Sequence, residues 1–416
     1  MNRIKDKNTA LTPAKIFAVL CPVVYFASYL TRKDYSVVLE AVIESEQISS
    51  SVAGLAESMS TIAYGAGQVI SGFLGDKIKP QKMIGIGLFA TAVLNVIMAL
   101  CPSPGARTVI WMLNGLAQSM LWPPMVRLLA SVMDKKGYDS ACVNTNIAGI
   151  SGTILLYLMS SLIWIRYFNW KYTFMCSAVM CAVILIMWIV GCRKADANMS
   201  TVVSADKSTE KAEKEYAKLS AKTLFSSGFV LIALAIILQG ALRDGITNWI
   251  PSFICSTFNI GSAGAILKSV MIPILGVIAL KIIGIINNKF IKEEARGAFY
   301  FFLICLVCCA FLVFFYSSNQ YVTLIVSALA VAAMNGVNLY LVCIVPVRFE
   351  KYGKTATMSG IINALTYVGS AAATYGFGAV SESFGWNAVV VTWAVIAVLG
   401  TVCCLFSIRP WRRFAR

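Results

Sequence analysis

What most constrains this chain is a series of apolar runs, each near the roughly twenty residues needed to cross about 30 Å of hydrocarbon. Lipid offers the backbone no hydrogen-bond partners, so a spanning segment must be a helix or part of a closed barrel. The runs lack the two-residue alternation of barrel strands, which leaves helices. With 58% hydrophobic and 13% charged residues and a mean hydropathy of +0.76, the chain reads as an all-α integral membrane protein.

Twelve spans are expected, at about 15–42, 53–75, 82–101, 107–132, 141–165, 172–192, 224–252, 262–286, 296–316, 321–347, 356–380 and 387–407. A net charge of +16 would suggest nucleic acid in a soluble protein, but here the basic residues crowd alternate gaps. They fall at Arg3, Lys5 and Lys7, at Lys77, Lys79 and Lys82, and at Lys135 and Lys136. They recur from Arg193 to Lys222, at Lys289 and Lys292, at Arg348, Lys351 and Lys354, and from Arg409 to Arg416. This positive-inside pattern predicts a multi-pass protein of the cell (inner) membrane with both termini cytoplasmic, the bilayer as partner and no nucleic acid. The first run starts too far into the chain, and lacks the small-residue cleavage pattern, for a removable signal peptide. The thirteen cysteines show no metal-ligand or disulfide spacing and read as small core residues, so no metal or cofactor is expected.

Residues 193–223 interrupt the apolar series with a polar, mixed-charge stretch in which Glu210 and Lys214 can pair one helical turn apart. The expected organisation is an N-terminal six-helix bundle (1–192), a cytosolic linker (193–223) and a C-terminal six-helix bundle (224–416). The halves echo each other, as a duplication would. Arg32 and Arg243 come near the end of the first run of each half. Asn114–Gly115 and Asn335–Gly336 share the fourth, and Phe168–Trp170 and Phe384–Trp386 precede the sixth.

Arg32 follows about sixteen apolar residues and precedes further apolar ones. A helix running through it would carry a charge into the membrane at a cost of at least about 2.5–3.5 kcal/mol. Either the helix ends at Leu30 and Arg32 and Lys33 snorkel to the interface, or Arg32 and Arg243 form a pair of cavity cations. Scarcity of basic residues on that side, and the repeat at Arg243, favour the cavity. Two guanidiniums sharing a cavity call for an anion between them, and their planar fork suits a phosphate group, which carries close to two charges near neutral pH.

The loop GFLGDKIKPQK, Gly72 to Lys82, resembles the signature loop of the major facilitator superfamily, with Pro80 and Gln81 departing from it. By that resemblance Gly72, Asp76 and Lys77 form a conformational latch. The sequence also resembles the organophosphate:phosphate antiporters of that superfamily, which include glycerol-3-phosphate and hexose-phosphate transporters. The ordered motifs are Tyr25-x-x-x-Tyr29-x-x-Arg32-Lys33, IAYG at Ile62 to Gly65, and Trp122-Pro123-Pro124 with Arg127. In the second half they are LRDGITNWIPSFI at Leu242 to Ile254, TYVGS at Thr366 to Ser370, and FGW at Phe384 to Trp386.

The resemblance implies the twelve-helix major facilitator fold in two pseudo-symmetric bundles, a monomeric carrier and a small anionic substrate. Arg32 and Arg243 would grip phosphate, with Lys33 beside them and Tyr25, Tyr29, Tyr64, Trp122 and Tyr367 lining the cavity; for Trp122 core packing is an equal alternative. Where relatives carry a histidine and a lysine, this histidine-free chain has Ile147 amid Asn144 and Asn146, and Gln68. Gly240 and Asn335 replace two tyrosines. The implied activity is exchange of an organophosphate for inorganic phosphate by a rocker switch, on the argument that an empty carrier cannot close over two unneutralised arginines. A proton-coupled symporter of another organic anion, with Asp34, Glu57 or Asp244 as proton carrier, is one alternative. A transporter-like sugar-phosphate sensor is another. No nucleophile–base pair, metal cluster or nucleotide loop suggests an enzyme.

Overall fold

The computed structural model describes residues 12–47, 50–159, 169–205, 219–260, 268–289 and 293–415. Arg3, Lys5, Lys7, Phe168, the Glu210–Lys214 pair, Lys292 and Arg416 lie outside them. Every described element is a helix. In the first half these are α1 (Pro13–Glu46), α2 (Ser50–Lys77), α3 (Pro80–Leu100), α4 (Pro104–Ser119), α5 (Trp122–Val132), α6 (Lys135–Met159) and α7 (Lys171–Ala205). The second half has α8 (Ala221–Ser226), α9 (Phe229–Phe258), α10 (Met271–Lys289), α11 (Glu294–Phe315), α12 (Gln320–Val337) and α13 (Thr355–Ala415). Seven of these helical stretches are long and apolar enough to cross a membrane.

Proline marks the first turn of α1, α3 and α4, where its missing N–H leaves no intrahelical bond unmade. The described parts of the apolar runs fall on helix, with departures inside three of them; the seventh breaks at Ser227 and Gly228, between α8 and α9. The fourth run is two helices rather than one: Pro123 and Pro124 donate no hydrogen bonds, and the chain breaks between Ser119 and Trp122 before α5 begins. The tenth leaves α-geometry at Asn338, passing through a π turn (Asn338–Ile344) and a 3-10 turn (Val345–Tyr352). Gly385, at φ 75°, separates the last two spans within α13.

Contacts divide the chain into two compact units, Met1–Ala217 and Lys218–Arg416. In the first, α1 packs on α6 and α7, α2 on α4, and α3 on α4 and α7. In the second, α9 packs on α13 and α12, and α11 on the same two helices. Small residues permit these approaches, since apolar burial cannot drive helices together in lipid. A side chain at Gly152 of α6 would overlap the carbonyl of Phe26 in α1, and one at Gly369 of α13 would overlap that of Ile237 in α9.

Buried charges at the helix ends are paired, as the cost of leaving them bare requires. Arg107 at the start of α4 meets Glu46 at the end of α1 at 2.6 Å and lies over the Trp170 ring. Glu294 at the start of α11 accepts from Arg348 (2.6 Å) and from Trp411 Nε1 (3.2 Å).

Candidate functional site

Helix α1 does not stop at Leu30; it continues unbroken to Glu46, so Arg32 lies within a spanning helix. Tyr25, Tyr29 and Arg32 fall four and three residues apart and share one stripe of it. The guanidinium carbon lies 4.3 Å from the ring centre of Tyr29 and 4.6 Å from that of Tyr64 on α2. Such contacts are worth about 0.5–2 kcal/mol each, more where water is excluded. The ring of Tyr25 packs, tilted, against Tyr29 (centroids 5.1 Å apart) and against Trp122 (4.9 Å), the first residue of α5. The break before α5 thus brings Trp122, itself buried, into an aromatic chain that ends at Arg32.

An adjoining stripe of α1 fixes the register of this assembly. Ser28 donates to Gln118 Oε1 and Gln118 Nε2 donates to Thr31 Oγ1, both at 2.6 Å, while Asn114 donates to the Thr31 carbonyl at 3.1 Å. All four side chains are buried. In the sequence Asn114 stands out only as an echo of Asn335, and Ser28, Thr31 and Gln118 do not stand out. Their signal was three polar residues at helical spacing, Asn114, Gln118 and Ser119, in an otherwise apolar run.

In the second unit, Arg243 of α9 is held by polar groups. Its Nε and Nη2 meet Asp244 Oδ1 and Oδ2 at 2.7 and 3.0 Å, and Nη1 donates to Asn338 Oδ1 at 3.0 Å. Asn338 opens the π turn, a distortion often found at functional sites. Asn335, which stands where the resemblance places a tyrosine, lies three residues earlier on α12. Gln239, a turn before Arg243, donates to the Met334 carbonyl and ties α9 to α12. Tyr367 is half-buried on α13 beside Thr366, whose carbonyl is so close to Gly240 that no side chain fits there.

The two acids that follow the arginines behave differently. Asp244 pairs with Arg243, so the premise of two unneutralised guanidiniums is corrected for the second half. Asp34 is about 200° around the helix from Arg32, on nearly the opposite face. It is fully buried and accepts from Ser177 on α7 at 2.9 Å, so it turns away from Arg32. Glu57 is half-buried and accepts from Ser36 (2.6 Å) and Trp111 Nε1 (3.1 Å).

Gln68 is buried on α2 one turn past Tyr64, Lys33 is half-buried, and Asn144 is exposed on α6. Gly72, Asp76 and Lys77 occupy the last two turns of α2. Arg127 of α5 donates Nη1 to the Gly75 carbonyl at 2.5 Å and to that of Ile78 at 3.3 Å, capping the end of that helix and holding the loop in place.

The family model described as Major Facilitator Superfamily matches residues 23–374. A probable hexose phosphate transport protein of Chlamydia trachomatis is 20% identical over 92% of this chain and 88% of its own length. A glycerol-3-phosphate transporter of Bacillus subtilis is 22% identical, covering 87% and 85%. Membrane sensor protein UhpC of Escherichia coli is 31% identical over 26% of this chain and 24% of its own. Among solved structures, the proton:xylose symporter XylE superposes with a TM-score of 0.74 over 94% of both chains at 12% identity. FucP in the outward conformation gives 0.69 over 95% of this chain and 99% of its own, at 14% identity.

Proposed function

The chain belongs to the major facilitator superfamily and is a membrane transporter, and from that premise we propose that it exchanges an organophosphate of the sugar phosphate or glycerol phosphate type for inorganic phosphate. The observation carrying this reading is Arg32 within spanning helix α1, over the rings of Tyr29 and Tyr64, with Arg243 at the matching turn of α9. Both arginines grip the phosphate group, with Lys33 nearby. Tyr25, Tyr29, Tyr64, Trp122 and Tyr367 contact the organic part, and Gln68 and Asn144 supply neutral polar contacts. The names of the two long-range transporter relatives support a phosphorylated substrate.

Transport proceeds by rocking of the two halves, with the anion lowering the cost of desolvating the arginines as water leaves. Asp76, flanked by Gly72 and Lys77 at the end of α2, acts as a latch in that motion. The protein works as a monomer in the cell inner membrane, with both termini cytoplasmic. Phosphate uptake into proteoliposomes, preloaded with phosphate or left empty, tests the reading: uptake into loaded vesicles only is the expected result. Absence of uptake by folded protein, in either vesicle, would sink it. The similarity to a membrane sensor over part of the chain favours one second reading, a phosphate-ester sensor, which would bind without counterflow.

A further inference from the structure

Neighbouring residues on a helix point about 100° apart, yet the side chains of Arg243 and Asp244 meet along a whole edge of the guanidinium. Asn338 holds a third nitrogen, so the cation is anchored both from its own helix and from the π turn. Protein does not enclose the pair: the two side chains are 21% and 24% exposed. An ion pair that protein leaves partly uncovered can exchange one of its partners for a ligand anion. The edge that Asp244 occupies is also the edge that a phosphate or carboxylate ligand takes when it binds arginine bidentately.

We propose that Asp244 is a resident competitor for the transported anion, a specificity-determining residue that substrate must displace from Arg243. The inference rests on Arg243 being a phosphate ligand, as in the function proposed above. A monocarboxylate offers Arg243 the same charge and the same two oxygens that Asp244 already supplies, so it gains nothing by exchange. A phosphate monoester brings close to two charges and three acceptor oxygens, and it wins the edge. The site therefore rejects organic carboxylates through a built-in repulsive group. Asp34, the acid following the other arginine, is fully buried against Ser177 and has no such part.

The experiment measures binding of labelled inorganic phosphate to the purified full-length protein in detergent, with lactate as competitor. It compares wild type with Asp244→Asn, Asp244→Ser and Asp244→Glu. Loss of the competing charge is expected to tighten phosphate binding about tenfold in the Asn and Ser variants, and lactate then displaces phosphate from them. The Glu variant, which keeps the charge, stays within about threefold of wild type and remains insensitive to lactate. If wild type binds phosphate but the Asn and Ser variants bind it equally or more weakly, Asp244 is no competitor, and the phosphate reading survives. If neither wild type nor any variant binds phosphate while all keep the wild-type melting temperature, the phosphate reading fails and takes this inference with it.

Discussion

Arg32 and Arg243 occupy corresponding turns of the first long helix in their halves, and the chain holds them by opposite means. The first lies over tyrosine faces, and the side chains that set the position of its helix, Ser28, Thr31, Asn114 and Gln118, bond to each other and to backbone. The second is gripped edge-on by Asp244 and Asn338. An aromatic face favours a cation without neutralising it, whereas a carboxylate cancels its charge at contact range. Duplication can thus preserve a cation at one place in two halves while the surrounding side chains decide how much of its charge reaches a ligand.

The comparison breaks first at the arginines themselves. Arg32→Lys and Arg243→Lys should each cut phosphate exchange by about a hundredfold or more, since lysine lacks the planar fork. A loss confined to one variant would mean that only one half binds phosphate. Asp76→Asn is expected to slow exchange about tenfold with phosphate affinity unchanged, measured as initial rates against equilibrium binding; a change in affinity alone would remove the latch.

Tyr64→Leu should raise the half-saturating phosphate concentration about fivefold, while Tyr64→Phe, which keeps the ring face, stays near wild type. Equal damage from both would shift the role from the face to the hydroxyl. Asn338→Ala should weaken phosphate binding about threefold by loosening Arg243. The smallest effect is expected at Glu57→Gln: the amide oxygen still accepts from Trp111 Nε1 and the amide nitrogen can donate to the Ser36 hydroxyl, which turns to accept, and exchange should change less than about twofold at any pH from 6 to 8. A lost proton dependence in that variant would favour the symport alternative.

Much of this was legible in the sequence because membrane physics is local. Run length and the absence of strand alternation determined an all-helical fold, and the intervals between Tyr25, Tyr29 and Arg32 determined one aromatic stripe, since helix geometry turns spacing into direction. Whether α1 ends at Leu30 or continues was not legible, because the answer lies in what receives Arg32 on α2. Nor was the partnership of the acids: Asp34 and Asp244 look alike beside their arginines, but one turns to Ser177 on α7 and the other onto Arg243. The part played by Asn338 depends on α12 leaving α-geometry and meeting α9, ninety-five residues away in sequence. The sequence alone settled which residues share a face of one helix. Only the tertiary structure decided which faces meet, because each polar group in a low-dielectric interior takes whichever partner the packing brings within hydrogen-bond reach.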